Sequence, residues 1–186
     1  NPYPRWIRAA ITVKAKSIVE VFDDIKIELH SKSIRKVNAP TLLIAGCGTG
    51  QHSVETASRF SYCQVSAVDL SLASLAYAQR KTNELGISNI KYLQADILDL
   101  HKLGKKFDII ESLGVLHHMN DPMDGWRTLT KLLKPNGLMK VGLYSNIARS
   151  EIVKARDKIA SCGIGTSPVE MRNFRSSQIV SINKDY

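Results

Sequence analysis

Three glycines at alternate positions follow the apolar run Thr41–Ala45, in the stretch TLLIAGCGTGQHS. Glycine accepts a positive φ and lets another group approach the backbone closely, so Gly46, Gly48 and Gly50 indicate a tight turn, a bound ligand, or both. The dinucleotide-binding fingerprint is G-x-G-x-x-G, whereas this chain reads G-x-G-x-G. A strand-to-helix turn that binds nothing is the simpler alternative at this stage.

Two later apolar runs each end in an acid, QVSAVD at Asp69 and YLQAD at Asp96. If both runs are strands of a parallel sheet, their carboxyl ends meet at one edge, where such sheets bind ligands. Asp69 is suited to hydrogen bonds from the two hydroxyls of a ribose, and Asp96 to an adenine amino group across the same crevice. One acid alone could be only a helix cap. Together with the glycine turn, the two acids predict a nucleoside site.

A further group of reactive side chains lies in the stretch ESLGVLHHMND. His117 or His118 could act as a general base near neutral pH, because the unperturbed pKa of imidazole is about 6.5. The simpler interpretation, which we favour, is that the two histidines pack and cap the loop before Pro122. Glu111 and Ser112 are expected at the tip of the preceding strand, bordering the reacting group.

Five apolar runs alternate with helical patterns and are the elements that must position these residues. The predicted strands are Thr41–Ala45, Gln64–Asp69, Ile90–Asp96, Phe107–Ser112 and Leu138–Ser145. Helical spacing predicts helices from Ser71 to Gly86, from Asp121 to a turn at Pro135–Gly137, and from Ser145 or Asn146 to Gly163. The alternation predicts an α/β, Rossmann-like fold with a mostly parallel sheet of about five strands and helices on both faces.

Composition narrows the possible partners. The net charge is +9, from 26 basic and 17 acidic residues, which leaves nucleic acid as a possible partner. The largest basic cluster, His101–Asp108, has no interleaved aromatic residues for base stacking, so nucleic acid is not favoured. No segment approaches the roughly 20 apolar residues of a membrane helix. Cys47, Cys63 and Cys162 show no metal-ligand spacing, so we expect no metal site, reduced thiols and a cytoplasmic location.

Five stretches resemble, in order, the successive motifs of class I S-adenosylmethionine-dependent methyltransferases: LLIAGCGTG, AVDLS, LQADILDL, FDIIESLGVLHHMNDP and LLKPNGLMKVGLYS. The resemblance runs from about Thr41 to Ser145, and the flanks are also similar to bacterial proteins that join tetratricopeptide repeats to such a domain. It implies transfer of a methyl group from S-adenosylmethionine to an acceptor. ESLG differs from the Asn/Asp-Pro-Pro-aromatic pattern of many enzymes that methylate nucleic-acid or protein nitrogens, so a small-molecule acceptor is favoured.

The resemblance also implies roles for particular residues. It places the glycine loop beneath the methionine and ribose portion of the cofactor, Asp69 on the ribose, and Asp96 with Ile97 beside the adenine. The full set of expected cofactor-binding residues is Ala45, Gly46, Cys47, Gly48, Gly50, Gln51, Asp69, Leu70, Asp96, Ile97 and Ser112, and the catalytic candidates are His117, His118 and Glu111. The family commonly carries an acid two residues before the first glycine, where this chain has Ile44. Either cofactor binding is weaker, or backbone carbonyls near Gly46 hold the ammonium group.

The residue pattern and the resemblance together predict two regions. Residues 1–38 are expected to form an irregular segment and a helix over Lys16–Leu29, with Ile18, Phe22, Ile25 and Leu29 inward. Residues 39–186 are expected to form a cofactor-binding domain that stops before the last two strands of its family, because after Cys162 only Gln178–Ile182 could form a strand. The uncovered edge of the fifth strand would then invite self-association.

Two other functions stay open from the sequence. The first is a module that binds the cofactor or a partner without turnover, which Ile44 and the undefined base leave possible. The second is a nicotinamide-dependent oxidoreductase, which the altered spacing of the third glycine disfavours.

Overall fold

A parallel five-stranded sheet organises the chain. In the computed structural model, which describes residues 6, 11–12, 14–145 and 147–182, the strand order is β3-β2-β1-β4-β5. The strands are β1 Thr41–Ala45, β2 Gln64–Asp69, β3 Ile90–Gln94, β4 Phe107–Leu113 and β5 Leu133–Gly142, and every pairing is parallel. The order reverses at β1, so the crevice at its carboxyl end lies where open α/β sheets bind ligands. The predicted fold class is confirmed.

Helices connect the strands. They are α1 Ile18–Asp24, α2 Lys32–Arg35, α3 Gln51–Arg59, α4 Leu72–Glu84, α5 Pro122–Lys131, α6 Ser150–Ser161 and α7 Pro168–Ile182, with 3-10 turns at Ile97–Leu103 and Leu116–His118. Both α4 and α5 begin with a side-chain cap: the Ser71 hydroxyl accepts from Ser74 N, and the Asp121 carboxylate accepts from Met123 N, each satisfying a first-turn N–H.

The two faces of the sheet build two cores, because side chains alternate along each strand. On β1, Leu42 and Ile44 pack with residues of α1, α3 and α4. Leu43 and Ala45 face the other way and pack with α5 and the first 3-10 turn. All four β1 side chains are buried, so helices cover this strand on both sides.

Several predicted elements differ from the structure. The helix predicted to start at Ser145 or Asn146 begins at Ser150. The first helix ends at Asp24, because Lys26 has a φ of +57°, and Ile25 is 58% exposed rather than inward. The fifth strand begins at Leu133 and carries a bulge in which Lys134–Gly137 oppose the single residue Asp108, so the predicted turn lies within the strand. Residues 178–182 belong to α7, so the prediction that they form a strand is wrong.

The chain divides into two compact units. The first contains the described residues up to Leu143, including α1, α2 and the whole sheet. The second begins at Tyr144 and contains α6 and α7. The irregular N-terminal segment predicted before the first helix lies mostly outside the described residues.

Candidate functional site

The turn after β1 is tight because of its first glycine. Gly46 N and Cys47 N both donate to the carbonyl oxygen of Val68, each at 2.9 Å, which holds the turn against the end of β2. Gly46 has a φ of +79°, and a β-carbon there would overlap the side chain of Val115. Gly46 is therefore required by close packing against the loop that follows β4.

Gly50 and Gly48 serve different purposes. A β-carbon on Gly50 would lie 2.6 Å from Ala78 Cβ and 2.8 Å from Tyr92 Oη, so the start of α3 approaches α4 and β3 too closely for a side chain. Gly48 has a φ of +52°, but nothing lies within 4 Å of the β-carbon position. Open space at Gly48 leaves room for a ligand against the loop.

Asp69 links the glycine loop to the tip of β2. Its Oδ2 accepts from Gly48 N at 2.7 Å, and its Oδ1 accepts from Ser71 N at 2.9 Å. A carboxylate has about four acceptor positions, so both oxygens can still accept from ribose hydroxyls. Asp96 caps the first 3-10 turn, where its Oδ1 accepts from Leu98 N at 2.9 Å.

A cavity of about 560 Å³ lies along these acidic strand ends and is called here the nucleoside cavity. Its walls include six residues predicted from the sequence: Gly46, Asp69, Leu70, Asp96, Ile97 and His118. The other lining residues come from the ends of β2 and β3, the first 3-10 turn, the segment between β4 and α5, and α5 itself: Val68, Ala95, Leu98, Val115, Met119, Asn120, Asp121 and Asp124. No local pattern marks them, since they meet only when the sheet is assembled.

A second cavity, of about 330 Å³, lies on the other side of the glycine loop and is called here the loop cavity. Gly46 lines both cavities, so one elongated ligand could occupy the two. The loop cavity is lined by Ile44, Gly46, Cys47, Gly48, Thr49, Gln51, His52, Glu55 and Leu113. Burial, the first of several influences, raises the pKa of the Cys47 thiol to about 12, so this cysteine is neutral and unreactive near pH 7.

Glu111 lies beneath α3 rather than at the strand tip. It is only 3% exposed, and its Oε2 accepts from Thr56 Oγ1 at 2.7 Å and lies 2.7 Å from His52 Nε2. Burial acts to raise the pKa of Glu111, but hydrogen bonding and charge from His52, together with Thr56, outweigh it and hold the pKa below its usual range. The expectation that Glu111 borders the reacting group is therefore corrected.

Of the remaining predicted residues, Ala45 and Ser112 stabilise the sheet, whereas His117 and His118 lie nearer the surface. Ala45 and Ser112 are fully buried, and the Ser112 hydroxyl donates to the Ala45 carbonyl at 3.1 Å, which ties β4 to the end of β1. His117 and His118 form the second 3-10 turn, and their Nε2 atoms lie 3.1 Å apart. Of these two, only His118 lines the nucleoside cavity.

The glycine loop has one further contact that sequence reasoning did not predict. The indole N–H of Trp6 donates to the carbonyl oxygen of Thr49 at 2.9 Å, within the G-x-G-x-G turn. Trp6 also stacks edge-on against Tyr77 of α4, with ring centroids 6.2 Å apart.

The fold and the site together define a Rossmann-like domain with a nucleoside cavity at the carboxyl edge of its sheet. The sequence profile of the methyltransferase domain matches residues 42–137, and the chain belongs to this family. PKMT2 from Rickettsia typhi, solved in complex with AdoHcy, is similar, with a TM-score of 0.64 and 26% identity over 79% of this chain and 29% of that one. The cofactor is S-adenosylmethionine, of which AdoHcy (S-adenosylhomocysteine) is the demethylated product.

Sequence relatives agree with this family. An uncharacterized protein of Synechococcus sp. is 34% identical over 67% of this chain and 30% of its own length. The ubiquinone biosynthesis O-methyltransferase of Caulobacter vibrioides is 37% identical over 59% of this chain and 43% of its own. The chain thus spans less than half the length of these relatives. Within the described residues, no helix is both long enough and apolar enough to cross a bilayer.

Proposed function

We propose that this chain binds S-adenosylmethionine across its two cavities and transfers the methyl group to a small-molecule acceptor in the cytoplasm. The observation that carries the proposal is the contact between Asp69 and Gly48 N, because it joins the ribose-binding acid to the open position of the glycine loop. The name of the Caulobacter relative supports a small-molecule acceptor.

The adenosine end fits the nucleoside cavity. Asp69 accepts from the ribose hydroxyls, and Asp96 with Ile97 borders the adenine, while Leu70 covers it from the tip of β2. Ala45, Gly46, Cys47, Gly48, Gly50, Gln51 and Ser112 form or support the loop beneath the sulfur and the methionine portion. The bound cofactor supplies an electrophilic methyl group on a sulfonium, so the protein's main tasks are alignment of the acceptor and exclusion of water.

His118 is the side chain best placed to accept a proton from an acceptor hydroxyl. It lines the nucleoside cavity, and His117 Nε2 lies 3.1 Å from its own Nε2. In the buried position that the structure describes, Glu111 does not reach an acceptor, so it is not the group that takes the proton.

Calorimetry with S-adenosylhomocysteine tests the cofactor site, and a methyl-transfer screen with labelled S-adenosylmethionine tests turnover. Binding with turnover on small molecules is the expected result. Binding without turnover on any acceptor would instead favour a module that has lost activity. Binding of NAD and not of S-adenosylhomocysteine would contradict the proposal.

Two statements about assembly stay predictions. The edge of β5 would permit self-association if no further strands cover it, although Lys134, Pro135 and Lys140 on this strand are residues that disfavour edge pairing. The net charge of +9 keeps nucleic acid as a less favoured partner. Sedimentation and titration with DNA or RNA at increasing salt would test the two.

A further inference from the structure

One buried charge is not used by the proposed function. The side chain of Glu111 is 4% exposed, in the middle of a sheet covered by α3. Burying an ionised carboxylate costs several kcal/mol unless partners compensate it. Thr56 and His52 supply such partners on Oε2, and Arg59 Nη1 lies 3.9 Å from Oε1. His52, Thr56 and Arg59 lie on the same face of α3, but of these three only His52 also lines the loop cavity.

His52 connects this buried carboxylate to the loop cavity. Its side chain lines that cavity and is 26% exposed, while its Nε2 is buried 2.7 Å from Glu111 Oε2, a close contact whose angle lies outside regular hydrogen-bond geometry. Because an ionised carboxylate can only accept, Nε2 carries the proton. Only the neutral form of the ring, as distinct from the imidazolium whose charge lowers the pKa of Glu111, has an acceptor at Nδ1, and no described residue forms a hydrogen bond with that atom. The Glu111 contact thus sets both the tautomer and the orientation of the imidazole.

The charges around the loop cavity favour a cation. Its lining residues include Glu55 but neither lysine nor arginine. Glu111 adds a second carboxylate behind His52, and Arg59 Nη1, 3.9 Å from its Oε1, offsets part of its charge. The wall at the end of β1 is the aliphatic Ile44, which pairs in register with Glu111 and offers no acceptor of its own. Nδ1 of His52 is therefore well placed to meet a positively charged donor.

We infer that His52, held by Glu111, accepts a hydrogen bond from the ammonium group of the cofactor's methionine portion. This rests on the proposed function, because it assumes that the bound molecule continues from the nucleoside cavity past Gly46 into the loop cavity. His52 is the binding residue, and Glu111 is a positioning residue that acts through it. The carboxylate that supports the ammonium site thus belongs to Glu111 of β4 and acts through His52 of α3, whereas β1 contributes only Ile44.

Comparing the affinities of two ligands distinguishes loss of ammonium recognition from general damage to the site. S-Adenosylhomocysteine carries the amino-acid portion, whereas 5′-methylthioadenosine has the same adenosine and thioether without it. Calorimetry on the full chain should show that Glu111→Gln and His52→Ala each weaken S-adenosylhomocysteine by about ten- to a hundredfold, the value of a hydrogen bond to a charged group. Affinity for 5′-methylthioadenosine should stay within about twofold.

Thr56→Val is the matched structural control. It removes the other hydrogen bond to Glu111 Oε2 and keeps the shape of the side chain, but it leaves the contact with His52. Thermal unfolding of Thr56→Val should show lower stability, with the affinity for S-adenosylhomocysteine within a few-fold of wild type. If Thr56→Val weakened S-adenosylhomocysteine as much as Glu111→Gln does, Glu111 would serve only to hold α3.

A rescue variant tests the acceptor role directly. Ile44 lines the loop cavity and pairs with Glu111, so Ile44→Asp in the Glu111→Gln background puts a carboxylate into the same wall. Recovery of most of the lost affinity for S-adenosylhomocysteine is expected. No recovery in a folded double variant, equal loss for both ligands, or no loss in His52→Ala would overturn the inference. Wild-type protein that binds neither ligand would instead refute the proposed function.

Discussion

Replacing Asp69 by alanine is the most direct test of the nucleoside site. The carboxylate accepts from Gly48 N at 2.7 Å and from Ser71 N at 2.9 Å, and the proposed ribose contacts use its remaining acceptor positions. Hydrogen bonds to a charged group contribute about 1.5–3 kcal/mol. Asp69→Ala should therefore weaken S-adenosylhomocysteine by about ten- to a hundredfold. Because the loop also loses its anchor at Gly48, a loss near the upper end is expected.

Isothermal calorimetry measures the affinity, and circular dichroism with thermal unfolding shows whether each variant is folded. Asp99→Ala is the matched control, since Asp99 is an exposed acid in the next 3-10 turn whose carboxylate pairs with Lys102 and does not line either cavity. It should bind as wild type does. An unchanged affinity in folded Asp69→Ala would refute the assignment of the nucleoside cavity to the adenosine portion.

Three further predictions concern the loop and the sheet. Gly50→Ala should destabilise by roughly 2–5 kcal/mol and Gly48→Ala by only about 1–2 kcal/mol in chemical denaturation, because both strain a positive φ but only Gly50 is also overpacked. Equal losses would contradict the distinction. Gly48→Val should abolish cofactor binding in calorimetry, since the open space at Gly48 is where the ligand passes; normal binding would refute this. Finally, burial acts to raise the pKa of Asp108, but hydrogen bonds from Lys134 and Thr41 and the charge of Lys134 outweigh burial and hold the pKa below its usual range. A carboxyl whose pKa is lowered in the folded state stabilises that state at pH values above its unfolded pKa, and this stabilisation is lost as the pH falls through the folded pKa. Urea unfolding from pH 6 to pH 2 should therefore be less acid-sensitive in Asp108→Asn than in wild type. An identical pH dependence would contradict it.

The elements of the sheet were predictable because their signals are local. The strand from Thr41 to Ala45 has an apolar run and a following glycine, and the helix after Ser71 has a cap and a regular apolar period. Errors arose where a local pattern was interrupted by backbone geometry. Lys26 adopts a positive φ that residue type alone does not indicate, and it ended the first helix early. The bulge at Lys134–Gly137 kept a turn-forming sequence within β5 because its neighbours pair with β4.

The adenosine end of the site was also largely predictable. Asp69 and Asp96 end successive parallel strands, and such ends meet at one edge whatever the helices do. The lining residues Met119, just before α5, and Asp124, within α5, were not predictable, because their positions depend on how that helix docks.

Sequence by itself determined the order of strands and helices, the glycine turn and the acids at the strand ends. These follow from residue periodicity and from conformations that glycine alone accepts readily. Only the tertiary structure decided that Glu111 lies beneath α3 against His52, beside Ile44, rather than at the reacting edge. The face that a strand residue presents depends on the register with its neighbours. What that residue meets depends on a helix about 55 residues away in the chain, whose docking no local pattern encodes.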